Sequence, residues 1–131
     1  MTGVDSKQIV ICDDEYDIRE MLGAVVRSGG YQPLLAENLA DVMYHIGHDA
    51  PALLLLDIRM PEQDGFEIAE SLRRHKIDIP IIFITAHDNL FCRMYSPAVG
   101  AVGYMVKPIE PKLLLERIDA ALSNPSGLLS R

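Results

Sequence analysis

Three apolar runs lack polar alternation: Ile9 to Cys12, Ala52 to Leu56 and Ile79 to Thr85. Unbroken runs of this length suit parallel strands covered on both faces, so these segments are the expected core strands. Between them the apolar period lengthens. Ile18, Met21, Leu22, Val25 and Val26 fall at i, i+3, i+4, i+7 and i+8, and Leu39, Val42, Met43 and Ile46 at i, i+3, i+4 and i+7, each tracing one helical stripe. Phe66, Ala69 and Leu72 mark a third helix. Leu114, Ile118, Ala121 and Leu122 mark a last one that has Pro111 in its first turn, while Gly29-Gly30 closes the first helix. Weaker strands at Tyr31 to Ala36 and Val102 to Val106 complete a strict strand and helix alternation, which predicts an α/β fold with an open parallel sheet and helices on both faces.

The stretch after Thr85 breaks the pattern. Pro97 falls in the third turn of a helix starting near Asp88, where it removes a hydrogen bond and clashes with the preceding turn at a cost of about 3 kcal/mol. The fourth helix is therefore expected to be short, kinked or mobile.

Polar residues stand where the buried strands end. Asp13 and Asp14 follow the first, Asp57 the third, Thr85 ends the fourth and Lys107 follows the fifth. In open parallel sheets ligands sit at the carboxyl ends of the strands, near the point where strand order reverses. Carboxylates there are costly unless paired, protonated or bound to a cation. At a separation of about 5 Å, two ionised groups repel by roughly 3 kcal/mol at an effective dielectric of about 20, so the cluster calls for a cation or a proton.

With 131 residues the chain holds one domain, expected over residues 7–122, with an N-terminal extension over 1–6 and a tail or linker start over 123–131. A composition 49% hydrophobic and 24% charged places it among folded globular chains. The net charge of −7 argues against nucleic acid held by this domain itself. No apolar stretch approaches a membrane span and the first residues are too short and polar for a secretory signal, so a cytoplasmic setting is expected. Cys12 and Cys92 have no metal-site spacing and read as incidental reduced thiols. His45, His48 and His75, on helices or helix ends, read as solvated.

Taken in order, the Asp13-Asp14 pair, DIRMPEQDG around Asp57, ITAH around Thr85 and GYMVKP from Gly103 to Pro108 resemble the receiver domain of bacterial two-component response regulators. The resemblance runs from about Lys7 to Leu122. It implies a flavodoxin-like (βα)5 fold with strand order 2-1-3-4-5. It also implies that Asp57 accepts a phosphoryl group from a phosphohistidine on a sensor histidine kinase or histidine phosphotransfer protein. Such a domain is no enzyme beyond its own aspartyl phosphorylation and dephosphorylation. A magnesium ion would be held by Asp13, Asp14, Asp57 and the backbone carbonyl of Arg59, hard oxygen donors of the kind that ion prefers. Thr85 and Lys107 would bind the phosphoryl oxygens, Tyr104 would turn inward with Thr85, and the Lys107-Pro108 bond would be cis.

By the same resemblance the output face comprises the fourth helix, fifth strand and fifth helix, and acts on an output domain, an effector protein or a second copy. Pro97 and Val102-Gly103 depart from the pattern there, which weakens the case for a homodimer built on charge pairs. Arg59 and His87 match positions flanking the hydrolytic water. Arg59 implies slow dephosphorylation, with an exposed loop arginine as the alternative. Rival readings are a haloacid dehalogenase-like phosphatase, a flavodoxin-like cofactor carrier and an unphosphorylated docking module. The first expects its nucleophile after the first strand in a DxD pattern, and here Arg59 lies two residues past Asp57. The second expects a phosphate loop that the chain lacks after its first strand. The third usually loses an acidic residue or the lysine, all of which are present.

Overall fold

A computed structural model describes residues 6–123. Most of the expected extension over 1–6, namely 1–5, and most of the tail, 124–131, lie outside the described residues. Strands β1 (Gln8–Cys12), β2 (Gln32–Ala36), β3 (Leu53–Asp57), β4 (Ile81–Thr85) and β5 (Ala101–Val106) alternate with helices α1 (Tyr16–Ser28), α2 (Leu39–His48), α3 (Gly65–Arg74), α4 (Leu90–Ala98) and α5 (Pro111–Ser123). All strand pairs are parallel and the order is β2-β1-β3-β4-β5. Order reverses between β1 and β3, so a crevice opens at their carboxyl ends.

Every residue of β3 and β4 is buried, as their apolar runs predict. Side chains alternate between two cores. Val10, Leu54, Leu56, Ile81 and Phe83 pack with α2, α3 and α4 through Val42, Ile68, Leu72 and Cys92. Ile9, Ile11, Leu55, Ile82 and Ile84 pack with α1 and α5 through Leu22, Val26, Leu114 and Ile118.

The strand boundaries differ at their starts. β2 begins after Tyr31 and β4 after Pro80, whereas β5 begins at Ala101 and slips register opposite Ile81 and Ile82. In α1, Met21 lies at the exposed margin of the stripe, and the buried line runs through Arg19, Leu22, Gly23 and Val26. Pro97 falls at the next-to-last position of the nine-residue α4, in its last turn, where the missing N–H forfeits one helical hydrogen bond without interrupting the helix, which is one residue shorter than α2 and α3.

Turn chemistry fixes the loops beside the crevice. Asp64 caps α3 in a reciprocal box with Glu67, while Asn38 caps α2 and Asn89 caps α4. Gly65 must be glycine: a Cβ there would collide with the Asp57 carbonyl oxygen and stand 3.0 Å from the Ile58 Cα. That close approach lets α3 start directly behind the end of β3. No helix among the described residues is long and apolar enough to cross a membrane.

Candidate functional site

The structure brings Asp13, Asp14 and Asp57 together, each offering one carboxylate oxygen within 4.8 Å of the others. Their burial differs. Asp13 and Asp57 are buried while Asp14 faces solvent, so the cluster has closed walls and an open mouth.

Asp13 is held at every polar group. Its N–H donates to the Ala36 carbonyl at 3.2 Å, its Oδ1 accepts from the Glu15 N–H at 2.9 Å, and its Oδ2 accepts from Lys107 Nζ at 2.9 Å. Its own carbonyl accepts from Arg19 Nη1 at 2.8 Å. Lys107 also stands 3.5 Å from Asp57 Oδ2 and 3.7 Å from Glu15 Oε1, one cation among several carboxylates. Burial works against its charge, but the bond it donates to Asp13 and the fields of Asp57, Asp13 and Glu15 outweigh burial and hold its pKa above the ordinary lysine value. Its N–H donates to the Thr85 carbonyl at 2.8 Å, so the ends of β4 and β5 stay in register at the site.

Burial first, and then the Asp13 charge, push the Asp57 carboxyl up to about 6; Lys107 and the Arg59 N–H oppose that rise without cancelling it. A carboxylate left short of compensation in this way is a ready acceptor for a cation. The donor set is all oxygen, which matches a hard divalent metal rather than zinc or copper. The same desolvation, aided by Asp13, raises the Cys12 thiol to about 12, so this buried thiol stays protonated. Cys12 and Cys92 are both free.

Thr85 is buried, and its Oγ1 accepts from the His87 N–H at 3.0 Å, which leaves the hydroxyl proton available to a ligand. Arg59 and His87 are exposed beside the mouth. Tyr104 is half-buried with its hydroxyl donating outward to Asp88 Oδ1 at 2.9 Å, so its ring is not turned inward. The Lys107-Pro108 bond is cis.

One expectation needs correction, and one residue of the site's frame has to be added. His45 is not a solvated histidine: its side chain is 17% exposed, and its Nε2 lies 2.8 Å from the Leu35 carbonyl, bridging α2 to the edge strand. Arg19 escaped notice although it belongs to the site's frame. It is 8% exposed, holds the Asp13 carbonyl, lies 3.6 Å from Glu37 and stands 5.7 Å from the Tyr16 ring centroid. Its signal was its spacing, since it shares the i, i+3, i+4, i+7 line with Leu22, Gly23 and Val26.

Known proteins are similar to this chain in sequence and in fold. The response regulator receiver domain family matches residues 9–119. The chain is 39% identical over 118 residues to the phosphate regulon transcriptional regulatory protein PhoB of Pseudomonas aeruginosa, covering 88% of this chain and 52% of that protein. It is 32% identical over 117 residues to the alkaline phosphatase synthesis transcriptional regulatory protein PhoP of Bacillus subtilis, covering 89% and 49%. The chain thus spans about half the length of these relatives. Among solved structures, the CheY-like response regulator receiver domain from Methanospirillum hungatei superimposes with a TM-score of 0.85 at 27% identity, covering 94% of this chain and 98% of that one. Sequence, strand order and the acid-lined crevice agree: the chain belongs to the response regulator receiver domain family.

Proposed function

We propose that Asp57 is the phosphoacceptor of this receiver domain and that phosphorylation switches the surface formed by α4, β5 and α5. The observation that carries this reading is the carboxylate itself. Asp57 is 2% exposed at the strand-order reversal, with its pKa pushed up to about 6 and Lys107 Nζ 3.5 Å from its Oδ2.

In the reaction, an Asp57 carboxylate oxygen attacks the phosphorus of a phosphohistidine on a sensor histidine kinase or histidine phosphotransfer protein. The new O–P bond forms as the N–P bond breaks, and the imidazole leaves with the electron pair and takes a proton. A magnesium ion held by Asp13, Asp14, Asp57 and the Arg59 carbonyl would neutralise charge on the transferring group. Lys107 supplies a fixed positive charge to one phosphoryl oxygen, and the free Thr85 proton hydrogen-bonds another. Hydrolysis reverses the change: water attacks phosphorus, the O–P bond breaks, and inorganic phosphate leaves Asp57 ionised. Arg59 and His87, exposed at the mouth, set how readily that water lines up. The chain turns over no external substrate beyond this cycle.

The added group carries about −1.5 to −2 charges. Drawing Thr85 toward it moves the loop before α4 and shifts an existing equilibrium at the output face. The relatives are about twice as long and are named transcriptional regulators, which supports a DNA-binding output partner for this domain in a cytoplasmic pathway. Incubation with acetyl phosphate tests the acceptor role by intact mass. One magnesium-dependent phosphoryl adduct is expected on the wild type, and a wild type that binds magnesium but gains no mass would leave a docking module instead.

A further inference from the structure

The loop after β4 carries a cluster that the phosphoryl chemistry above leaves unused. Asp88 lies three residues past Thr85. Its carboxylate receives two guanidinium N–H groups of Arg93, Nε at 2.8 Å and Nη2 at 2.7 Å, and the same Oδ1 accepts the Tyr104 hydroxyl at 2.9 Å. The Arg93 guanidinium also lies 5.2 Å from the centroid of the Tyr104 ring. One cation therefore holds the carboxylate through a planar fork and covers the phenol ring that the carboxylate holds.

The charges agree with the geometry. Hydrogen bonds from Arg93 and Tyr104 hold the Asp88 carboxyl below its ordinary range. Burial, and then the bond to Asp88, push the Tyr104 phenol up to about 12. At neutral pH the phenol is a donor, Asp88 an acceptor and Arg93 a cation.

The cluster is coupled to the site through the backbone. Thr85 Oγ1 holds the His87 N–H, and Asp88 is the next residue, so a displacement of the Thr85 hydroxyl pulls on the backbone one residue before Asp88. A phenol has a single proton to donate. A Tyr104 ring turned inward behind Thr85 cannot keep that proton on Asp88.

We propose that Asp88, braced by Arg93, is a clasp that holds Tyr104 outward in the unphosphorylated protein and must release it when the phosphoryl group is accepted. The inference rests on the phosphoacceptor reading of Asp57 and adds the restraint that this switch works against. Asp88 and Arg93 are positioning residues, acting through Tyr104. Because the clasp exists in only one of the two arrangements, it weakens binding of the phosphoryl group by the factor it contributes to the other. A surface hydrogen bond to a carboxylate sets that factor at roughly three- to tenfold.

The test titrates the full chain with beryllofluoride, a phosphoryl mimic, in magnesium. Wild type, Asp88→Ala, Tyr104→Phe and the double variant are compared. Asp88→Ala should bind about three- to tenfold more tightly, and in the Tyr104→Phe background the same substitution should have no further effect. A merely structural loss would weaken binding instead. Equal or weaker binding by Asp88→Ala, or an undiminished effect without the Tyr104 hydroxyl, would overturn the clasp. A folded wild type that does not bind beryllofluoride at all would remove the phosphoacceptor reading and the clasp with it. In the unliganded protein, carbon-labelled tyrosine NMR should show Tyr104 titrating lower in Asp88→Ala than the wild-type value of about 12. An unchanged titration would also overturn the clasp.

Discussion

Replacing Asp57 with asparagine should make the metal-free protein more stable. Burial and Asp13 raise the Asp57 pKa from 3.8 to about 6 on folding. An acid raised in this way holds its proton in the folded chain at a pH where the unfolded chain has lost it. Stability therefore falls as pH rises from about 4 through about 6, and the full penalty applies above that range. Two pKa units correspond to about 3 kcal/mol, and the same linkage leaves roughly half of that at pH of about 5. The asparagine amide would keep the shape of the side chain without its charge, and Lys107 would keep its 2.9 Å bond to Asp13. Urea unfolding in chelator should show Asp57→Asn more stable than wild type by up to about 3 kcal/mol near pH of about 8, with the gap roughly halved at pH of about 5. Magnesium should then stabilise the wild type more than the variant and narrow the gap. A wild type at least as stable as Asp57→Asn in chelator at the higher pH would refute the claim that this carboxylate is held uncompensated.

The site's frame yields other outcomes. Gly65→Ala puts a methyl group against the Asp57 carbonyl and should cost about 2 kcal/mol in urea unfolding, whereas a neutral change would mean α3 can back away from β3. Arg19→Met strips the donor from the buried Asp13 carbonyl and should lower stability by about 2 kcal/mol; a loss within about 0.5 kcal/mol would show that carbonyl has another partner. Arg59→Ala should speed loss of the phosphoryl group in a decay time course, and an unchanged rate would assign lifetime control elsewhere.

The fold was legible because its two periods do not overlap. LLLLD and IIFIT have no polar face to show to water, and the helices between them each carry one stripe. The rim was legible for a related reason: Asp13, Asp57 and Thr85 are polar residues at buried strand ends, where only a ligand, a proton or a partner makes them tolerable. Starts of strands were harder to place, because Tyr31 and Ile79 are apolar residues that pack without pairing in the ladder. Arg19, Asp88 and Arg93 were missed for another reason. A buried arginine serving a backbone carbonyl, or an aspartate that gathers an arginine and a tyrosine sixteen residues on, leaves no local pattern apart from the spacing of Arg19. His45 was misread because its partner, the Leu35 carbonyl, lies in the edge strand rather than on its own helix.

The central claim is that Asp57, rather than Asp13 or Asp14, carries the phosphoryl group. Borohydride reduction after acetyl phosphate and magnesium treatment, followed by peptide mass spectrometry, reads this directly, since an acyl phosphate is reduced to the alcohol and an aspartate becomes homoserine. Homoserine at position 57 alone is the predicted result. Homoserine at 13 or 14, or its absence from a protein that has gained a phosphoryl mass, would contradict it.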